Sequence, residues 1–127
     1  MKKLIALAFS LSLVAGSTAL AKEVAGVTVP DTITVEGKAL KLNGAGLRKK
    51  ATFKVYVAGL YVENTAKDAA VVISADQVKR VQLSILRSLS SNQVNEAIEE
   101  GFEKNSKAQM GALKARLAKL ATMIPNV

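Results

Sequence analysis

The sequence predicts an α+β domain, an antiparallel β-sheet with a layer of α-helices on one face. Two observations carry this expectation. Before residue 90 the apolar and polar residues alternate with period two between glycine, proline and asparagine breaks, and after it two apolar stripes recur at helical spacing. Strands in one block and helices in another favour segregated layers over the alternating units of a parallel sheet.

The elements follow in order. Residues 24–29 and 32–36 alternate around the Pro30-Asp31 break and read as short strands joined by a turn. After Gly37, residues 38–42 place Leu40 and Leu42 on one face, and Asn43-Gly44 is a dipeptide favoured in two-residue hairpin turns. Residues 52–62 read as a longer strand with Phe53, Val55, Val57 and Tyr61 on one face and Thr52, Lys54, Tyr56 and Ala58 on the other. Residues 64–76 leave a short helix or a buried strand open. Residues 79–89 form a strand in which Val81, Leu83 and Ile85 share a face, with Arg87 in the same register, an odd place for a charge. Ser90 with Gln93 three residues on has capping-box spacing. Val94, Ala97, Ile98, Gly101 and Phe102 then mark the apolar stripe of a helix over about 92–104. A second helix over about 107–123 carries Met110, Leu113, Leu117, Leu120 and Ile124, and Pro125 stops it.

Residues 1–21 have the form of an export signal: Lys2 and Lys3, an apolar run from Leu4, and the small residues Ala19 and Ala21 before Lys22. The apolar run is shorter than the roughly 20 residues that cross a bilayer, so cleavage near Ala21 and a periplasmic or secreted location are expected. Residues 22–127 then form one domain. With no cysteine there is no disulfide, thiol nucleophile or lipidation site. Of 18 basic and 10 acidic residues, two basic ones lie in the signal, so the remainder carries 16 against 10, or +6. Residues 104–127 hold Lys104, Lys107, Lys114, Arg116 and Lys119 without an acid. This stretch reads as a solvated helix face, with weak contact to an anionic membrane surface as the functional alternative. Scarce aromatics argue against a nucleic-acid partner.

The composition removes much chemistry. Without histidine, a serine-histidine-acid triad and the usual zinc sites have no parts. Glu96, Glu99, Glu100 and Glu103 are a dense acidic group, but they lie opposite the apolar stripe and read as a solvated face, so neither metal nor cofactor is expected. Gly44-Ala45-Gly46 resembles a phosphate-cradling loop only in composition, because strand rather than helix follows, and it reads as a hairpin turn. Arg48 beside that turn, facing a strand of alternating aromatic and small residues, is the candidate cation of a ligand cleft.

Leu42-Asn43-Gly44-Ala45-Gly46-Leu47-Arg48 and Gly59-Leu60-Tyr61-Val62-Glu63 resemble the chalcone isomerase family, in which a Gly-Ala-Gly-x-Arg turn precedes a strand ending Gly-hydrophobic-Tyr-hydrophobic-Glu. The resemblance spans roughly residues 37–103. Its specific core is 43–63, with a looser match through Leu83-Ser84-Ile85-Leu86. It implies a large antiparallel sheet with helices and a cleft between them. In the plant enzymes the turn arginine steers an anionic chalcone and stabilises charge during intramolecular attack, and Arg48 matches it. The resemblance places Tyr56 where those enzymes have a threonine, Val94 near their tyrosine and Gly101 near their substrate-binding asparagine. Three of four functional positions therefore differ, and flavonoid cyclisation is not expected.

The resemblance thus implies a periplasmic, non-catalytic protein that binds a small amphipathic or fatty acid between sheet and helices, with Arg48, Tyr56, Val94 and Gly101 around the ligand. Ten buried methylenes contribute about 8 kcal/mol at roughly 0.8 each, against about 1.5–3 for a charge-assisted hydrogen bond. Apolar contact sets affinity and Arg48 sets orientation. Two alternatives stand beside this: an isomerase or lyase using Arg48 and Tyr56 on another substrate, and an envelope-interaction module. Family members continue past the second long helix, so the resemblance also implies that the domain is incomplete at its C-terminus and leaves an unpaired sheet edge.

Overall fold

The computed structural model describes residues 20–127, so the expected export signal lies outside the described residues except for its last two. The elements are β1 (Ala21–Val24), β2 (Val27–Pro30), β3 (Thr32–Val35), β4 (Lys38–Lys50), β5 (Phe53–Val62), α1 (Ala69–Ser74), β6 (Lys79–Ile85), α2 (Ser91–Asn105) and α3 (Met110–Ala121), with a 3-10 turn at Lys107–Gln109 before α3. Strands β1 and β2 form a two-stranded sheet, and β3-β4-β5-β6 form a four-stranded one. Every pairing is antiparallel, and the fold is α+β.

Two tight turns rest on a Gly in the second position. Ala25 and Gly26 (φ 49° and 81°) split residues 24–29, expected as one strand, into β1 and β2; Glu36 and Gly37 (φ 50° and 78°) join β3 to β4. Positive φ at both central residues matches the strand twist in a two-residue hairpin.

Asn43-Gly44 is not a turn. Strand β4 runs straight through the Gly-Ala-Gly segment, Leu42 pairs with Tyr61 and Gly44 with Leu60, so Asn43 is the extra residue of a β-bulge. The reason lies in parity. Leu40 and Leu42 occupy even positions and Ala45 and Leu47 odd ones, and only an inserted residue lets all four reach the core, where they pack with Val57 and Tyr61. Asn43 also serves the fold with its side chain, whose Oδ1 accepts the Ala66 N–H at 2.8 Å. The reversal into β5 comes instead at Ala51 and Thr52, between the paired Lys50 and Phe53, with Ala51 at φ 53°.

The main buried cluster is made by strands, with Val72 of α1 buried apart from it. Val29 of β2, Leu40 of β4, and Val57 and Tyr61 of β5 form its centre, ringed by Val24, Val27, Ile33, Val35, Leu42, Ala45, Leu47, Val78 and Leu86. The β1–β2 hairpin therefore closes one face of the large sheet. It presses closest at Gly59, where a Cβ would meet Val29 Cγ1 and Tyr61 Cε2 at 3.2 Å each. Tyr61 is wholly enclosed and spends its hydroxyl on the Pro30 carbonyl at 2.8 Å, which ties β5 to the end of β2.

In β6 the face shared by Val81, Leu83 and Ile85 is the outer one. Val81 and Leu83 are 64% and 44% exposed, while Gln82 and Ser84 line the inner side with Val29, Val57, Gly59 and Tyr61. Arg87 is explained as well. It lies beyond the end of β6 and its guanidinium stacks 4.6 Å from the centroid of the Phe53 ring.

The open segment before β6 is resolved as helix α1, capped by Asp68, whose Oδ1 accepts the Ala70 N–H at 2.9 Å. Helix α2 starts on the expected capping box: Ser90 Oγ accepts from Gln93 N and Gln93 Oε1 accepts from Ser90 N at 2.9 Å. Helices α2 and α3 pack on each other, and neither buries a residue. The chain after α3 returns to the start of α2, with reciprocal backbone hydrogen bonds between Leu89 and Val127 and the Ser91 N–H donated to Asn126 Oδ1 at 2.8 Å.

Candidate functional site

Because paired residues of an antiparallel sheet project to the same side, the register fixes what the outer face of the sheet presents. Beyond a row of Lys41, Val62 and Lys79, in which Val62 is wholly buried, three rows run across β4, β5 and β6: Gly44, Leu60 and Val81; Gly46, Ala58 and Leu83; Arg48, Tyr56 and Ile85. The first two of these three are wholly apolar and the third adds one guanidinium and one phenol. Gly44 and Gly46 have ordinary backbone angles, and nothing lies within 4 Å of where a Cβ would stand on either. Neither makes a turn, and both leave open space above the sheet.

Of the four residues expected at the site, Arg48 and Tyr56 are direct cross-strand partners. Arg48 is exposed and Tyr56 half-buried. Among the described residues the one ion pair is Lys38 with Glu63 at 3.0 Å, so Arg48 faces this surface without an acidic partner. Val94 and Gly101 stand elsewhere, both half-buried on α2 two turns apart and outside these rows, and the Cβ position of Gly101 opens onto free space. The cross-strand partners Leu60, Val81, Leu83 and Ile85 complete the surface. Sequence reasoning missed them as a set because strand register, not spacing along the chain, assembles them.

The Gly-x-Tyr-x-Glu end of β5 is structural. Gly59 admits the hairpin, Tyr61 anchors it, and Glu63 joins three segments. The Glu63 carboxylate accepts the Val78 N–H at 2.8 Å and pairs with Lys38. The backbone N–H first and then Lys38 hold its pKa below the usual 4.5, against a smaller opposing effect of desolvation. Burial, helped by Asp31 and countered by Arg80, raises the pKa of Tyr61 and keeps it a neutral donor. Glu96, Glu99, Glu100 and Glu103 are exposed along α2.

Fold and surface together define an α+β protein whose antiparallel sheet is closed on one face by a strand hairpin and carries on the other an apolar patch with Arg48 toward one end and Lys41 and Lys79 flanking the buried Val62 at the other. Comparison with protein families matches residues 21–127 to the family described as chalcone isomerase-like, and the chain belongs to that family. No curated protein matches it.

Proposed function

We propose that the outer face of the sheet binds a small amphipathic acid without transforming it, its tail along the Gly44, Gly46, Ala58, Leu60, Val81 and Leu83 rows and its carboxylate at Arg48. One observation carries this reading. Arg48 and Tyr56 stand opposite each other at the end of an apolar surface whose two glycines leave space for a ligand. A guanidinium with no acidic partner among the described residues is free to donate to a carboxylate, and the adjacent phenol can donate one further hydrogen bond. Beyond Arg48 and Tyr56 these three rows carry no further polar side chain to help position a water for catalysis.

The reading also takes the protein to act after export, on the strength of the basic start, apolar run and small residues of 1–21. Cleavage after Ala21 would remove the Leu20 carbonyl that accepts the Asp31 N–H at 3.0 Å and the pairing of Ala21 with Pro30 at the end of the β1–β2 hairpin.

The test is calorimetric titration of a long-chain carboxylic acid and of its methyl ester. Arg48→Ala should weaken the acid by about 1.5–3 kcal/mol, the range for a charge-assisted hydrogen bond, and leave the ester nearly unchanged. Equal losses for both ligands would remove Arg48 from the site. Conversion of either ligand during the titration, abolished by Tyr56→Phe, would favour the isomerase or lyase reading.

A further inference from the structure

We propose that the tip of the β4–β5 hairpin is a docking surface for an anionic lipid bilayer. Between Glu36 and Glu63 the chain has no acidic residue and six basic ones, Lys38, Lys41, Arg48, Lys49, Lys50 and Lys54. Strand register gathers four of them around the turn at Ala51 and Thr52, and Arg87 joins from beyond β6.

Lys49 and Lys54 are direct cross-strand partners. Like charges placed so are mutually destabilising, and among the described residues no carboxylate pairs with either. An anionic surface relieves that repulsion. At the same tip Phe53, opposite Lys50, is 58% exposed. A large apolar side chain ringed by cations suits the boundary of a charged bilayer, where the ring enters the headgroup layer and the lysines meet the lipid phosphates.

The aromatic content of the tip separates this partner from nucleic acid. Single-strand binders need open aromatic faces along a groove. Here Phe53 is the one exposed ring, with Arg87 stacked over it, and Tyr56 beside Arg48 is half-buried. Helix α3 carries Lys114, Arg116 and Lys119 but no aromatic residue, so the tip is the better surface.

Co-sedimentation with vesicles tests the proposal, comparing phosphatidylglycerol mixed into phosphatidylcholine with phosphatidylcholine alone. All variants carry the same N-terminal segment, whose contribution is then common to every measurement. Binding should require the anionic lipid and fall steeply with salt. Each lysine near a charged surface is worth about a fivefold change in partitioning, so Lys49→Gln with Lys50→Gln should lower it about 25-fold, while Lys114→Gln with Lys119→Gln should change it little. The chain has no tryptophan, so Phe53→Trp introduces a single emitter whose fluorescence should shift blue on anionic vesicles. An emission unchanged by vesicles, equal loss from the α3 pair, or oligonucleotide binding without vesicle binding would overturn the proposal.

Discussion

Glu63 shows how a residue that looks like a surface charge can hold a fold together. Its carboxylate takes the Val78 N–H and the Lys38 ammonium, joining β5 to the loop before β6 and to the start of β4. Its folded pKa is depressed, so its contribution is present above the unfolded value and is lost as pH falls through the folded one. Denaturation midpoints measured from neutral pH down through the region below 4.5 should decline, and Glu63→Gln should flatten part of that decline. Identical pH profiles for the two proteins would show that the pairing carries no stability. Gly59 and Tyr61, four and two positions earlier in the chain, answer different demands. One leaves room for Val29 and the other donates to Pro30.

At the scale of elements, the β4–β5 hairpin explains both the core and the candidate site. The bulge at Asn43 changes the parity of β4, turning Leu40, Leu42, Ala45 and Leu47 inward and thereby Gly44, Gly46 and Arg48 outward. Its turn carries a local cost, since Ala51 sits at φ 53°, where a Cβ is penalised by about 1–2 kcal/mol. Replacing Ala51 with glycine relieves this and gives back roughly 0.5–1 kcal/mol to the greater freedom of the unfolded chain. A net gain of about 0.5–1 kcal/mol is expected for Ala51→Gly in urea denaturation, and a clear loss would mean that the turn does not strain the alanine.

Over the whole molecule, order is unevenly shared. Strands supply the main buried cluster, Val29, Leu40, Val57 and Tyr61, whereas α2 and α3 bury no residue and rest on each other, on the capping box of α2 and on the Leu89–Val127 pairing. Local opening follows the burial that resists it. Hydrogen exchange should therefore be slowest in the amides of β4 and β5 and distinctly faster in α2 and α3, and equal protection throughout would show the helices cooperatively bound to the sheet.

The amino-acid sequence by itself determined the α+β class, the strands before the helices, the capping box at Ser90 and the family, because these rest on local periodicity and short-range motifs. The family resemblance also singled out Arg48 with Tyr56, and alternation along β5 puts Tyr56 on the face opposite Val57 and Tyr61. Only the tertiary structure decided that Asn43-Gly44 is a bulge, that β6 turns Val81 and Leu83 outward, and that Arg48 and Tyr56 are cross-strand partners. These are matters of register between segments distant in the chain. A one-residue shift exchanges the two faces of a strand, and the choice is made by which register lets Leu40, Val57, Tyr61 and Val29 bury together.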